Sequence, residues 1–262
     1  MDDDKIRLGG MALPNGVLVH GPHSWACAIR SEDGGIEVAS ARKRLQASRV
    51  ENRLLRGPAR LLEAIALLPQ VKRKLPAAQL PMESPRTVAA MLGAAVAVKG
   101  IRESGRLRPA AQEVLAGLAS LAPAVLTLRS SDLAAYHGAE HISIGRYEHG
   151  PGARKEHERC GGHLVGPLVA TSAAGNVLAG LAPPRLRRHA RTAAQFGALA
   201  ASMEIFGWMT RHPSHPLAQA LSKPGHELQH RLSTAEPSPE QLEVAEAALA
   251  ACLELERVED RA

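Results

Sequence analysis

The rhythm of apolar and polar positions changes about fifty residues into the chain. Before that point, apolar residues come in short β-prone runs. Gly16–His20 (Gly-Val-Leu-Val-His) and residues 25–30 (Trp-Ala-Cys-Ala-Ile-Arg) are two of them, separated by Gly21-Pro22. Ser31-Glu32-Asp33-Gly34-Gly35 has the composition of a hairpin turn leading into residues 36–39. Residues 8–40 are therefore expected to form a small antiparallel β-meander.

Beyond residue 50 the pattern becomes helical. Residues 59–68 predict a helix that Pro69 ends, and Pro76, Pro81 and Pro85 mark a linker over 75–86. Four Ala/Leu-rich runs follow at 87–99, 113–128, 164–182 and 192–209. A membrane-spanning helix needs about 20 predominantly apolar residues. The first two runs are shorter, the third contains Pro167 and Asn176, and the fourth contains Gln195 and Glu204. Buried helices of a bundle are expected, with insertion into a membrane as the alternative. Ser130-Ser131-Asp132 offers an N-cap for a helix over 132–147. Ser238-Pro239-Glu240-Gln241 is a capping box with proline at the first helical position. It opens a helix over 239–257 with an apolar stripe of Leu242, Ala245, Leu249, Cys252 and Leu253, and Cys252 reads as a core thiol. The fold class is mainly α with an N-terminal β-meander (α+β), in one domain over 1–262, the helical bundle occupying 50–262.

Composition refines this picture. Only 2% of the 262 residues are aromatic while 45% are hydrophobic, so the core must be built from Ala, Leu and Val. The same scarcity of Phe, Tyr and Trp argues against nucleic acid as a partner, because little is present to stack on bases. The net charge of +6 gathers in Arg42-Lys43-Arg44, Lys72-Arg73-Lys74 and residues 185–191, which read as solvated surface or as contacts to a membrane surface. Neither a P-loop nor a GxGxxG motif occurs. The three cysteines, Cys27, Cys160 and Cys252, form no disulfide framework and suit a reducing compartment. Met1-Asp2-Asp3-Asp4-Lys5 lacks the apolar stretch of a secretory leader, so a cytoplasmic location is expected.

The chemistry concentrates in residues 136–163, which hold five of the twelve histidines. His137-Gly138-Ala139-Glu140-His141 reads H-x-x-E-H. Two imidazoles at i and i+4 share one helix face and can grip one divalent cation, zinc first and iron second. Glu140 is then placed as the catalytic base toward water. His157 and Cys160 follow in a glycine-rich loop as further ligand candidates, and Cys160 could alternatively serve as a low-pKa nucleophile. Glu204, inside an apolar run, is a candidate for a distant third ligand, because a buried carboxylate needs a partner. His149 and His163 read as capping or core histidines. Gly138, which costs a helix stability, suggests close approach by another backbone or by substrate. A competing H-E-x-x-H motif spans His226 and His230, but Pro224-Gly225 directly before it predicts that His226 sits in a helix's first turn.

Several blocks together resemble the YqhQ-like family, a domain of unknown function numbered 1385. They are Gly9-Gly10-Met11-Ala12 with residues 16–22, Tyr136 through His141, His157 through Gly161, Pro224-Gly225 with Leu228-Gln229, and Glu236-Pro237 with residues 241–245. They run in the same order from end to end. The resemblance implies a metal-dependent enzyme, in a family often embedded in membranes, with its site around 137–160. Two features depart from the family pattern: the apolar segments are shorter and richer in Ala, and His226 and His230 lie outside it. The reading that follows is a metal-dependent hydrolase acting on a small-molecule or peptide substrate. Its alternatives are a non-catalytic structural or sensory metal site and a membrane-associated scaffold.

Overall fold

The computed structural model describes residues 5–128 and 131–259. Ser130 of the anticipated cap and the acidic residues 2–4 lie outside the described residues. The N-terminal part is a four-stranded antiparallel sheet in the order β1 (Gly9–Leu13), β2 (Gly16–His20), β3 (Ser24–Arg30), β4 (Ile36–Arg42). The turn between β3 and β4 is stitched by Asp33, whose carboxylate accepts from the Ser31 hydroxyl and from the Gly35 N–H. Gly34 there has φ +85°, a conformation only glycine adopts without strain.

Both faces of the sheet are covered, which explains why β2 and β3 are apolar almost throughout. Leu18, Trp25, Cys27 and Ile29 face Leu67, Val71 and Leu75 of α1 (Arg53–Lys74) or its end. Val17, Val19, Ala26 and Ala28 face the other way, onto α4 (Ser131–His149) and α8 (Pro239–Glu259). There they meet Tyr136, Ala139 and Ile144 of α4, and Val244, Ala248 and the fully buried Cys252 of α8. The capping box at the start of α8 is formed: the Gln241 N–H donates to Ser238 Oγ and the Ser238 N–H donates to Gln241 Oε1.

The remaining helices are α2 (Pro85–Glu103), α3 (Pro109–Leu128), α5 (Val165–Gly180), α6 (Arg187–Arg211) and α7 (Pro216–Leu228). They pack mainly as the pairs α2–α3 and α5–α6. No single helix among the described residues is long and apolar enough to cross a membrane.

Three expectations are corrected. Pro69 does not end its helix; α1 runs through both Pro58 and Pro69 to Lys74. Leu67 and Val71, on either side of Pro69, are both buried against the sheet, and that packing outweighs the lost amide hydrogen bond. The Ala/Leu-rich runs are helices, but several are less buried than their composition suggested. In α2 only Thr87 is buried, while Val88, Leu92 and Val96 are exposed. His226 lies in the last turn of α7 rather than the first, because α7 passes through Pro224.

Candidate metal centre

Helix α4 presents two faces. Tyr136, Ala139 and Ile144 are spent on the sheet core, so His137, Glu140 and His141 emerge on the adjoining side. The loop after α4 doubles back along it and delivers Cys160 to the same place. Nε2 of His137 stands 3.5 Å from Cys160 Sγ. The ligand atoms of His137, His141 and Cys160 all lie within 4.8 Å of one another.

Each imidazole is fixed by a backbone carbonyl. His137 Nδ1–H donates to Ser233 O (2.8 Å), and His141 Nδ1–H donates to Lys155 O (2.5 Å). A carbonyl accepts only, so these contacts assign the tautomer and leave both Nε2 atoms unprotonated, that of His137 facing Cys160 Sγ. Backbone carbonyls behind ligating histidines are the usual outer support of a metal site. Burial holds the pKa of both rings below the ordinary histidine value, His141 the further, so both are neutral and able to coordinate. Burial pushes the Cys160 thiol up to about 12, against the pull of the Gly162 N–H. That environment opposes a free low-pKa nucleophile; a coordinated cation would deprotonate the thiol outright.

Glu140 is 6% exposed, and its carboxylate accepts no hydrogen bond from any described residue. Burial pushes its pKa up to about 8. It lies against β1 at Gly10, where a Cβ would come within 2.3 Å of Oε1. Gly138 has the matching role on α4: a Cβ there would meet Ala235 O at 2.1 Å. That approach brings residues 233–235 across α4, and with them the carbonyl that orients His137.

The other candidates are placed elsewhere. His157 Nε2 is 3.2 Å from Glu148 Oε2, and its Nδ1 accepts the Arg159 N–H, so neither nitrogen offers a free lone pair. Glu148 is itself ion-paired with Arg159, and with His149 it belongs to a separate group around His157. The His157 ring is 5.5 Å from the His141 ring and packs behind it. Glu204 makes a two-pronged ion pair with Arg56 of α1 (both contacts 2.8 Å), which satisfies the carboxylate that apolar surroundings had made suspicious. His226 and His230 stack 6.3 Å apart, and His230 pairs with Glu156 at the surface. His163 is a buried structural residue, donating to Ser222 O through Nδ1.

One residue was not singled out from the residues themselves. Gln229 is fully buried; its Oε1 accepts the His157 N–H and its Nε2 donates to His163 Nε2. It clamps both ends of the Cys160 turn. Its only signal in the chain is its place in a shared block beside Pro224-Gly225.

Residues 128–255 match the family described as Protein of unknown function (DUF1385). This stretch belongs to that family. The DUF1385 stretch contains α4, the Cys160 loop, Gln229 and the residues that close over His137, so the three gathered ligand atoms all fall within it. The sheet that supplies Gly10 precedes it. No curated protein and no solved structure matches the chain.

Proposed function

We propose that the protein is a metal-dependent hydrolase whose cation is held by His137, His141 and Cys160. The observation that carries this reading is the convergence of two oriented, neutral imidazoles and one thiol within 4.8 Å. The donor set fits zinc first and iron second, since two imidazoles and a thiolate suit a borderline-soft cation. His137, His141 and Cys160 would supply three ligands, the number typical of catalytic rather than structural zinc sites, which keep a position for water. A divalent cation there would supply Lewis acidity toward water and toward a substrate carbonyl. Glu140, one residue before His141 and lining the same cleft as His137 and Cys160, would take the proton from attacking water in its ionised form, which a nearby cation would favour against the burial that raises its pKa, and pass it to the leaving group.

The alternative of a closed structural site calls for a fourth ligand. His157 is the nearest candidate by sequence, and its nitrogens are engaged by Glu148 and Arg159. The exposed apolar side chains of α2 and of the α5–α6 pair, among them Leu92, Val96, Leu178 and Phe196, favour an accompanying reading, contact with a membrane surface. Fractionation of expressing cells tests it, and recovery wholly in the soluble fraction removes it. Three free cysteines suit a reducing, cytoplasmic setting.

Elemental analysis of purified protein tests the hydrolase reading. Wild type should carry about one zinc or iron per chain, His141→Ala almost none, and Glu140→Gln the wild-type amount without hydrolytic activity. Chelation should inactivate the protein without unfolding it; unfolding on chelation would favour the structural alternative. Unchanged activity in Glu140→Gln would show that the role given to that carboxylate is wrong.

A further inference from the structure

The cleft in front of His137, Glu140 and Cys160 encloses about 500 Å³, the size of a small-molecule site. Its walls come from β1, the 81–83 turn, α2, α3 and the start of α4. Met11, Met82, Met91, Pro123 and Leu133 line it, and Thr87, Ser120 and Thr127 add neutral hydroxyls. No Lys, Arg or Asp is among its described lining residues, although the chain carries a net charge of +6. Among the described residues, the only ionisable groups lining it are those of the site itself.

This apolar lining favours one substrate class over the others. A phosphoester or a peptide with a free terminus brings charge that needs a fixed counter-charge or open water. A separate cavity of about 330 Å³ shows what a charged lining looks like in this fold, with Arg154, Glu156 and Glu158 on its wall. The described lining of the metal-facing cleft has nothing comparable; Glu83, Arg86 and Asp132 line the adjoining cavity, which shares Pro81, Thr87, Thr127 and Leu133 with it. Its unbranched methionine side chains adapt to apolar surfaces of varied shape.

We infer that the cleft binds an uncharged acyl ester or amide, its apolar tail among Met11, Met82, Met91 and Leu133 and its carbonyl end toward His137, Glu140 and Cys160. The placement of the carbonyl end rests on the hydrolase reading; the choice of an uncharged apolar tail rests on the lining alone. Hydrolysis of such a compound adds water across the acyl C–O or C–N bond, giving a carboxylic acid and an alcohol or amine. The proton taken from water ends on the leaving group.

Calorimetric titration of the full chain with uncharged primary amides, acetamide through octanamide, tests the inference without requiring turnover. Affinity should rise about fourfold per added methylene until the cleft is filled. An eight-carbon amide ending in a carboxylate should bind at least tenfold more weakly than octanamide. Ala124→Trp, an exposed position of α3 on the cleft wall, should flatten the dependence on length while leaving the circular dichroism spectrum unchanged. Affinity that ignores tail length, or a charged tail bound as tightly as octanamide, overturns the inference. Length dependence in protein that carries no metal sustains the inference and removes the hydrolase reading alone. Zinc-loaded protein that hydrolyses acetate and octanoate esters equally well does the reverse.

Discussion

Gly138 has the tightest backbone approach in the site. Ala235 O stands where its Cβ would be, at 2.1 Å, and a backbone atom cannot swing aside as a long side chain can. Gly138→Ala must push residues 233–235 off α4. We expect a loss of about 1–3 kcal/mol in a denaturant titration. Metal affinity should fall about 10–100-fold, because Ser233 O moves away from His137. Wild-type stability and affinity in this variant would show that the carbonyl does not orient the ring. Glu256 gives the clearest pH dependence. Its buried carboxylate accepts from the His23 and Ser24 N–H groups and from the Ser24 hydroxyl. Those donors outweigh burial and hold its pKa below the ordinary glutamate value. The folded state therefore binds this proton less readily than the unfolded chain. The stabilisation is fully present above about pH 4.5 and is lost as pH falls through the lower folded value. Glu256→Gln should lower stability by about 2–3 kcal/mol at pH 7. The difference from wild type should shrink in acid, and a difference constant from pH 7 to pH 3 would contradict the assignment.

At the scale of elements, α1 shows how packing overrides a local signal. Proline in a helix interior removes one hydrogen bond and crowds the preceding turn, at a cost of about 3 kcal/mol. Leu67, Val71 and Leu75 are buried against Trp25, Leu18 and Ile29, and deleting such side chains costs about 2–5 kcal/mol each. Pro69→Ala should therefore raise the melting temperature, since the packing remains and the amide is restored. A lower melting temperature would mean that the proline ring itself fills the interface. The same contrast marks what the sequence made legible. The hairpin turn at 31–35, the α8 capping box and the short β-prone runs that form β2 and β3 rest on chemistry within a few residues, and all are found where the pattern puts them. The reach of α1, and the turn of α7 in which His226 sits, depend on contacts far along the chain.

For the whole molecule, the site was legible to the extent that one helix carries it. His137, Glu140 and His141 are set by the 3.6-residue period, so their shared face could be read directly. Cys160 could be suspected from its neighbours, but which residue of its loop turns inward is decided by Lys155, Gln229 and the crossing of α7, dozens of residues apart. His157 and Glu204 illustrate the limit. Each is a competent ligand whose partner, Glu148 or Arg56, appears only when the chain is folded. In the proposed centre, two helix residues and one loop cysteine would surround a single cation. X-ray absorption on the purified, metal-containing protein examines that directly. The expected result is two imidazole nitrogens at about 2.0–2.1 Å and one sulfur at about 2.3 Å from zinc, with the sulfur contribution missing in Cys160→Ser. A bound metal with only oxygen neighbours, or a sulfur contribution that survives Cys160→Ser, would contradict it.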